Sequence, residues 1–299
     1  MTTGPNFFIA GAPRCGTTAM YDYLRQHPDV FMPLRKEPVY FGADLQKRKP
    51  YLDEAGYREL FEPGAGRARR GEATVWYLYS QTAAREIRDF VPDARIIIML
   101  RNPVDMVHSL HSHQLFTANE DIAEFEEALA AEPDRAEGRR LPPGVRRPEG
   151  LLYRACGRYA EHVERWLEVW GTEQLKVILY DDLSADAAAT YRDTLEFLEV
   201  DSSFAPDFSV VNQNKGVRSE LLRRITYHPA YVAVTNRLPG PISHAVSRAV
   251  KRANIRYAER PRMSAELRAR LTAEFAPDVD RLAGVIGRDL SAWTAVRQA

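Results

Sequence analysis

The chain has 299 residues, 45% of them hydrophobic, with Lys+Arg and Asp+Glu both totalling 41. Such a length buries a substantial core, so one large domain over residues 1–299, with or without an appendage, is expected. Balanced charge gives no reason to expect a nucleic acid partner, and two cysteines, Cys15 and Cys156, make no disulfide framework.

The first predicted element is a buried strand at Phe7-Phe8-Ile9, followed by a loop containing Gly11, Pro13 and Gly16. Met20, Tyr23 and Leu24 then recur at helical spacing. Strand, glycine loop and helix together aim backbone N–H groups and a helix N-terminus at an anion. Gly11 and Gly16 stand at the spacing of the nucleotide-triphosphatase loop G-x-x-x-x-G-K-[ST], with Thr18 at its hydroxyl position. Thr17 replaces the lysine that reaches the β- and γ-phosphates, and a cation appears instead at Arg14. The alternative is a plain Gly-Pro turn. Cys15, near the helix start, is either a thiol of lowered pKa or, as is more usual, a small packing residue.

Val30-Phe31-Met32 reads as a second strand, and Pro33–Phe41 as a loop with charge between apolar anchors. A short helix is expected at Tyr57–Phe61, a strand with its exit loop in Gly71–Tyr79, and a helix in Ser80–Phe90. Arg95–Leu100 is an apolar run without alternation, the mark of a strand buried on both faces. Asn102 suits an N-cap and Pro103 a first helical position, opening a helix with Val107, Leu110 and Leu115 on its apolar side. Ile122–Ala131 is amphipathic, Glu132–Gly150 reads as a mobile surface loop, and Tyr153–Trp170 as one strong amphipathic helix. Leu175–Tyr180 is the next strand and Ala185–Leu198 the helix after it.

This alternation predicts an α/β fold, a P-loop-type parallel sheet flanked by helices on both faces, with a helical C-terminal region free of strands. Ligands then bind at the carboxyl ends of the strands, where Arg14 and Arg101 both fall. Lys215–Arg262 is basic, with Glu220 and Glu259 as its acids, and suits either a doubly charged ligand or a solvated face. No apolar run approaches the roughly 18 residues of a membrane span, and the start of the chain lacks the regions of a signal peptide, so a cytoplasmic protein is expected.

In order and spacing these pieces resemble the sulfotransferase family that uses 3′-phosphoadenosine 5′-phosphosulfate (PAPS), most of all its heparan sulfate N- and O-sulfotransferase branch and bacterial relatives. Gly11–Thr18 (GAPRCGTT) resembles the family's 5′-phosphosulfate loop, and Arg101 with Ser109 its 3′-phosphate pair. Asn214-Lys215-Gly216, continuing to Val217, resembles the short loop that closes over the nucleotide. Lys36-Glu37 with Phe41 resembles the acceptor-site element K-E-x-x-F-F, and Glu72-Ala73-Thr74 with Tyr77 a strand-exit segment. Asp289–Trp293 resembles a C-terminal helix of bacterial members. The chain departs from the family at Arg14, where the loop lysine stands, and in lacking the cysteine pair of the Golgi enzymes.

The resemblance implies PAPS as donor, PAP (the 3′,5′-bisphosphate) as product, no metal, and an acceptor hydroxyl, less readily an amine, on a carbohydrate or small molecule. It implies that Arg14, Cys15, Gly16, Thr17 and Thr18 hold the 5′ end, that Arg101 and Ser109 hold the 3′-phosphate, and that Lys215, Gly216 and Val217 cover the nucleotide. Glu37 is the first candidate for general base, with Lys36 beside it. His108, His111 and Glu72 are rivals, and Glu72 is alternatively a group that orients Lys36. The acceptor pocket is expected in Arg35–Asp44, Glu132–Gly150 and the segment around Asn236–Arg256. The opposing readings are a P-loop small-molecule kinase, disfavoured by Thr17 and by the lack of an Asp closing Arg95–Leu100, and a non-catalytic PAP-binding module. Neither the acceptor nor the oligomeric state is legible in the chain.

Overall fold

A computed structural model describes residues 4–34, 36–45, 52–145, 147–208, 215–217, 255–257 and 262–295. Asn214, Arg35 and residues 236–254, named above for the nucleotide and acceptor sites, lie outside them. The chain divides into two compact units, the first made of residues 1–106, 158–212 and 275–295, the second of 107–157, 213–274 and 296–299.

The first unit is built on a five-stranded sheet of order β2-β3-β1-β4-β5. The strands are β1 (Phe7–Gly11), β2 (Val30–Phe31), β3 (Arg69–Ala73), β4 (Arg95–Leu100) and β5 (Leu175–Leu179), all paired in parallel. Every residue of β1 is buried, as is β4 after Arg95, which is why both read as unbroken apolar runs. Helices flank the sheet, among them α1 (Thr17–Leu24), α2 (Glu54–Glu59) and α3 (Ala83–Phe90). From β1 the chain runs to one side of the sheet, and from β4 to the other. The switch between neighbours β1 and β4 opens a crevice at their carboxyl ends.

The helix α4 (Pro103–Phe116) starts as its sequence predicts: the Asn102 side-chain oxygen accepts from the backbone N–H of Val104 at 3.0 Å. The stretch read as one helix from Tyr153 is two, α5 (Tyr153–Gly157) and α6 (Ala160–Gln174). The break is satisfied from far along the chain, because the Asp278 carboxylate accepts from the backbone N–H of Tyr159 at 2.7 Å and of Ala160 at 3.3 Å. Apolar periodicity continues across such a break, so the pattern alone hides it. Two further helices, Tyr180–Ala185 and Ala187–Phe197, follow β5.

In the second unit, Glu132–Gly150 is less of a loop than expected. A helix occupies Glu132–Ala136, and Arg135 is buried in a two-bond pair with Glu120 at 2.6 and 2.7 Å. Within this stretch Arg135 and Glu132 are buried with partners, while Glu137, Arg139 and Arg140 stay exposed as expected. The C-terminal region is helical over Ala265–Ile286 and Ser291–Thr294. It also holds strands, contrary to the expectation of none: Lys215–Val217 pairs antiparallel with Ile255–Tyr257. Three-residue strands are too short for alternation to register. No described helix is long and apolar enough to cross a membrane.

Candidate functional site

The loop from β1 to α1 turns at two left-handed residues, Arg14 (φ 65°) and Gly16 (φ 85°). Gly16 also has no room for a side chain, since a Cβ would stand 2.9 Å from Leu183 and 3.0 Å from the Tyr180 ring. The helix that follows has no side-chain cap and no acidic residue in its first turn. Its N-terminus is therefore electrostatically complementary to an anion. Thr17 is buried, whereas Thr18 is half-buried and accepts a 2.7 Å hydrogen bond from the Lys36 ammonium.

Arg14 and Arg101 follow the two strands at the switch point and act on each other. Burial, and next the Arg101 charge, lower the proton affinity of the Arg14 guanidinium. Lys36 is shifted down as well, by burial first, with Glu37 and Asp22 opposing the shift and Arg14 adding to it. The Arg101 guanidinium lies 4.6 Å from the centre of the Tyr180 ring. Tyr180 thus packs against Gly16 and Arg101 together, a role not noticed in the sequence. Its position directly after β5, at the same edge as Arg14 and Arg101, is the signal that marks it. Asn102, beside Arg101, donates to the Trp293 carbonyl at 3.3 Å, and the Trp293 indole N–H donates to Asp181 at 2.5 Å.

Cys15 is a packing residue. It is fully buried, its thiol donates to the Pro13 carbonyl, and burial pushes its pKa up to about 12. The fold removes the activation that a helix N-terminus can give a thiol.

Glu37 is half-buried in the loop after β2, with a left-handed backbone (φ 58°) and its N–H bonded to the Ala73 carbonyl at 3.0 Å. Charge coupling between Glu37 and Lys36 places the two side chains in one neighbourhood. Glu72 does not take Lys36 as a hydrogen-bond partner. It is buried, and its carboxyl accepts from the hydroxyls of Tyr57 (2.5 Å), Thr74 (2.6 Å) and Tyr77 (3.3 Å).

The remaining candidates belong to the second unit. Ser109 is buried on α4. His108 packs its ring 5.2 Å from that of Phe125 and, with His111, Ser112, Phe125, Arg262 and Leu267, lines a cavity of about 280 Å³. His111 is buried with its Nε2 2.9 Å from the Ile122 carbonyl, and burial lowers its pKa. Lys215, Gly216 and Val217 form the strand described above.

Residues 4–228 match the sulfotransferase domain family. Among characterised proteins, the bifunctional heparan sulfate N-deacetylase/N-sulfotransferase 4 of Mus musculus is 29% identical over 206 residues, covering 66% of this chain and 22% of the relative. Carbohydrate sulfotransferase 15 of Mus musculus is 26% identical over 249 residues, covering 66% and 44%. The chain thus spans about a fifth to under half the length of these relatives. A crystal structure of a sulfotransferase from Alicyclobacillus acidocaldarius superposes with a TM-score of 0.74 at 34% identity, covering 97% of this chain and 99% of that one. By sequence and by fold, the chain belongs to the sulfotransferase domain family.

Proposed function

We propose that the chain transfers a sulfuryl group from PAPS to a hydroxyl, or less readily an amine, of a carbohydrate or small-molecule acceptor. The observation that carries this reading is the gathering of cations where β1 and β4 end: Arg14 follows β1 and Arg101 follows β4, burial first and then the Arg101 charge lower the Arg14 proton affinity, Lys36 bonds Thr18 in the same loop, and the helix that begins there has no side-chain cap. Cations gathered at this cost suit a ligand with anionic groups at both ends, such as a 3′-phosphate with a 5′-phosphosulfate.

In this reading backbone N–H groups of residues 16–18, with the Thr17 and Thr18 hydroxyls, hold the 5′-phosphate. Arg14 stabilises charge on the bridging oxygen as its bond to sulfur breaks, and Lys36, anchored on Thr18, adds a second cation there. Arg101 takes the 3′-phosphate. The bound donor supplies an activated sulfuryl group and PAP as leaving group. Glu37 accepts the proton that the acceptor hydroxyl loses as its oxygen bonds to sulfur. Positioning and charge stabilisation account for the rest of the rate.

The test is calorimetry with PAP and AMP, together with a labelled-PAPS turnover assay. Arg101→Ala is expected to weaken PAP by about 1.5–3 kcal/mol, the range for a hydrogen bond to a charged group, and to leave AMP nearly unchanged. Equal losses for both ligands would remove Arg101 from the 3′-phosphate. Binding or turnover abolished by a chelator and restored by magnesium would instead favour phosphoryl transfer.

A further inference from the structure

A carboxyl group in a protein core usually has a cationic partner, because burying an unpaired charge is costly. Glu72 has less than 2% of its surface exposed, and its hydrogen-bond partners are the hydroxyls of Tyr57, Thr74 and Tyr77. An apolar residue there would be cheaper for folding alone. What the arrangement does becomes visible at Tyr77. Its hydroxyl accepts from the backbone N–H of Tyr40 at 3.0 Å and of Phe41 at 3.1 Å. A tyrosine hydroxyl has two acceptor sites and one proton. With both sites taken by N–H groups, the proton is left for Glu72.

The segment held this way is the one that carries Glu37. Its backbone is strained, with φ 58° at Glu37 and φ 53° at Val39, a β-branched residue that rarely adopts this conformation. The Ala73 carbonyl, next to Glu72 on β3, accepts from the Glu37 N–H at 3.0 Å. One short stretch, residues 72–77, therefore ties the loop on both sides of Val39. We propose that Glu72 and Tyr77 are positioning residues that hold the 36–41 loop in its strained form and so place the Glu37 carboxylate for the acceptor. This rests on the reading of Glu37 as general base.

The same geometry couples the loop to pH. Glu72 faces Tyr57 from α2, Tyr77 from the turn after β3 and Glu37 from the loop, and Tyr40 of the loop stacks on Tyr57 at 4.1 Å. Burial chiefly, reinforced by the Glu37 charge and opposed by the three hydroxyl bonds, pushes the Glu72 pKa up to about 7. The ionised carboxylate accepts all three O–H bonds in their stronger, charge-assisted form. A protonated one must turn a donor toward one of those hydroxyls. The loop is held most firmly above neutrality.

The experiment compares wild type, Glu72→Gln and Tyr77→Phe, each as the full chain. Amide hydrogen exchange at Tyr40 and Phe41 is expected to quicken roughly tenfold or more in both variants, with the β1 amides as an unchanged reference. Acceptor kcat/KM is expected to fall roughly ten- to a hundredfold, as for a catalytic group displaced by about an ångström, while PAP affinity holds. Glu72→Gln should also erase a step near neutrality from the pH–rate profile. Unchanged exchange at Tyr40 and Phe41 overturns the proposal. So does faster exchange throughout β1 or loss of cooperative melting in both variants, which would make the network a folding element only. If Glu37→Gln stays active while the loop amides respond as stated, the base assignment fails and the positioning of the loop stands.

Discussion

Glu37 and Glu72 show how two carboxyl groups a short distance apart take different work from their surroundings. Glu37, half-buried beside Lys36, is the proposed general base, and Glu37→Gln is expected to cut kcat by about 10²–10⁴ with PAP affinity unchanged. Steady-state turnover within a few-fold of wild type would move the base elsewhere. Glu72 carries a cost instead. In the unfolded chain it titrates at the ordinary 4.5, and in the folded chain at about 7, so between these values the folded state keeps a proton that the unfolded state has lost. Its contribution is therefore most favourable below the unfolded value and declines as pH rises through the folded one, by roughly 3 kcal/mol in total. Urea unfolding at about pH 5 and about pH 8 is expected to show this decline in wild type and a smaller one in Glu72→Gln. Equal pH dependence in both would mean that Glu72 is already ionised in the acid range.

Local signals served well wherever the chain closes its own structure. Asn102-Pro103 opened α4 as read, because the cap acts on N–H groups two and three residues away. They failed where a partner lies far along the chain. Asp278 caps the break after Gly157, and Glu120 neutralises Arg135 across 15 residues, so neither the break nor the buried pair is visible from its own stretch. Burial alone would raise the Glu120 carboxyl, but the Arg135 bonds, the Ile122 N–H and the Tyr153 hydroxyl outweigh it and hold it below its ordinary range. Arg135→Ala leaves that carboxylate buried and unpaired, and is expected to cost about 3–5 kcal/mol in urea denaturation. Arg135→Met combined with Glu120→Leu should recover most of the loss. If the double replacement is as unstable as the single one, packing rather than charge accounts for the site.

The family match ends at residue 228, yet the fold uses the chain beyond it. In the helix from Ala265 to Ile286, Phe275, Val279 and Leu282 are buried, and Asp278 caps α6. Trp293 and Asp181 are joined by a 2.5 Å bond close in sequence to Tyr180, and Asn102 beside Arg101 bonds the Trp293 carbonyl. A chain cut after residue 264 is expected to lose cooperative thermal unfolding by circular dichroism. A cooperative melt within a few degrees of the full chain would confine folding to the matched region.

The amino-acid sequence by itself determined the sheet strands β1 and β4, the glycine loop between β1 and α1, and the placing of Arg14 and Arg101 at strand ends. Each of these is written in a run of neighbours: apolar residues without alternation, glycines at fixed spacing, a cap next to its helix. The tertiary structure decided what those residues meet. Strand order sets β1 beside β4 and so brings two arginines into one field, and parallel pairing of β3 with β1 carries Glu72 into the core near Glu37. The Lys36–Thr18 bond, the Tyr180 ring between Gly16 and Arg101, and the inert state of Cys15 are of the same kind. The physical reason is range: propensity and periodicity act over a few residues, whereas charge coupling and desolvation depend on which distant segments share a crevice.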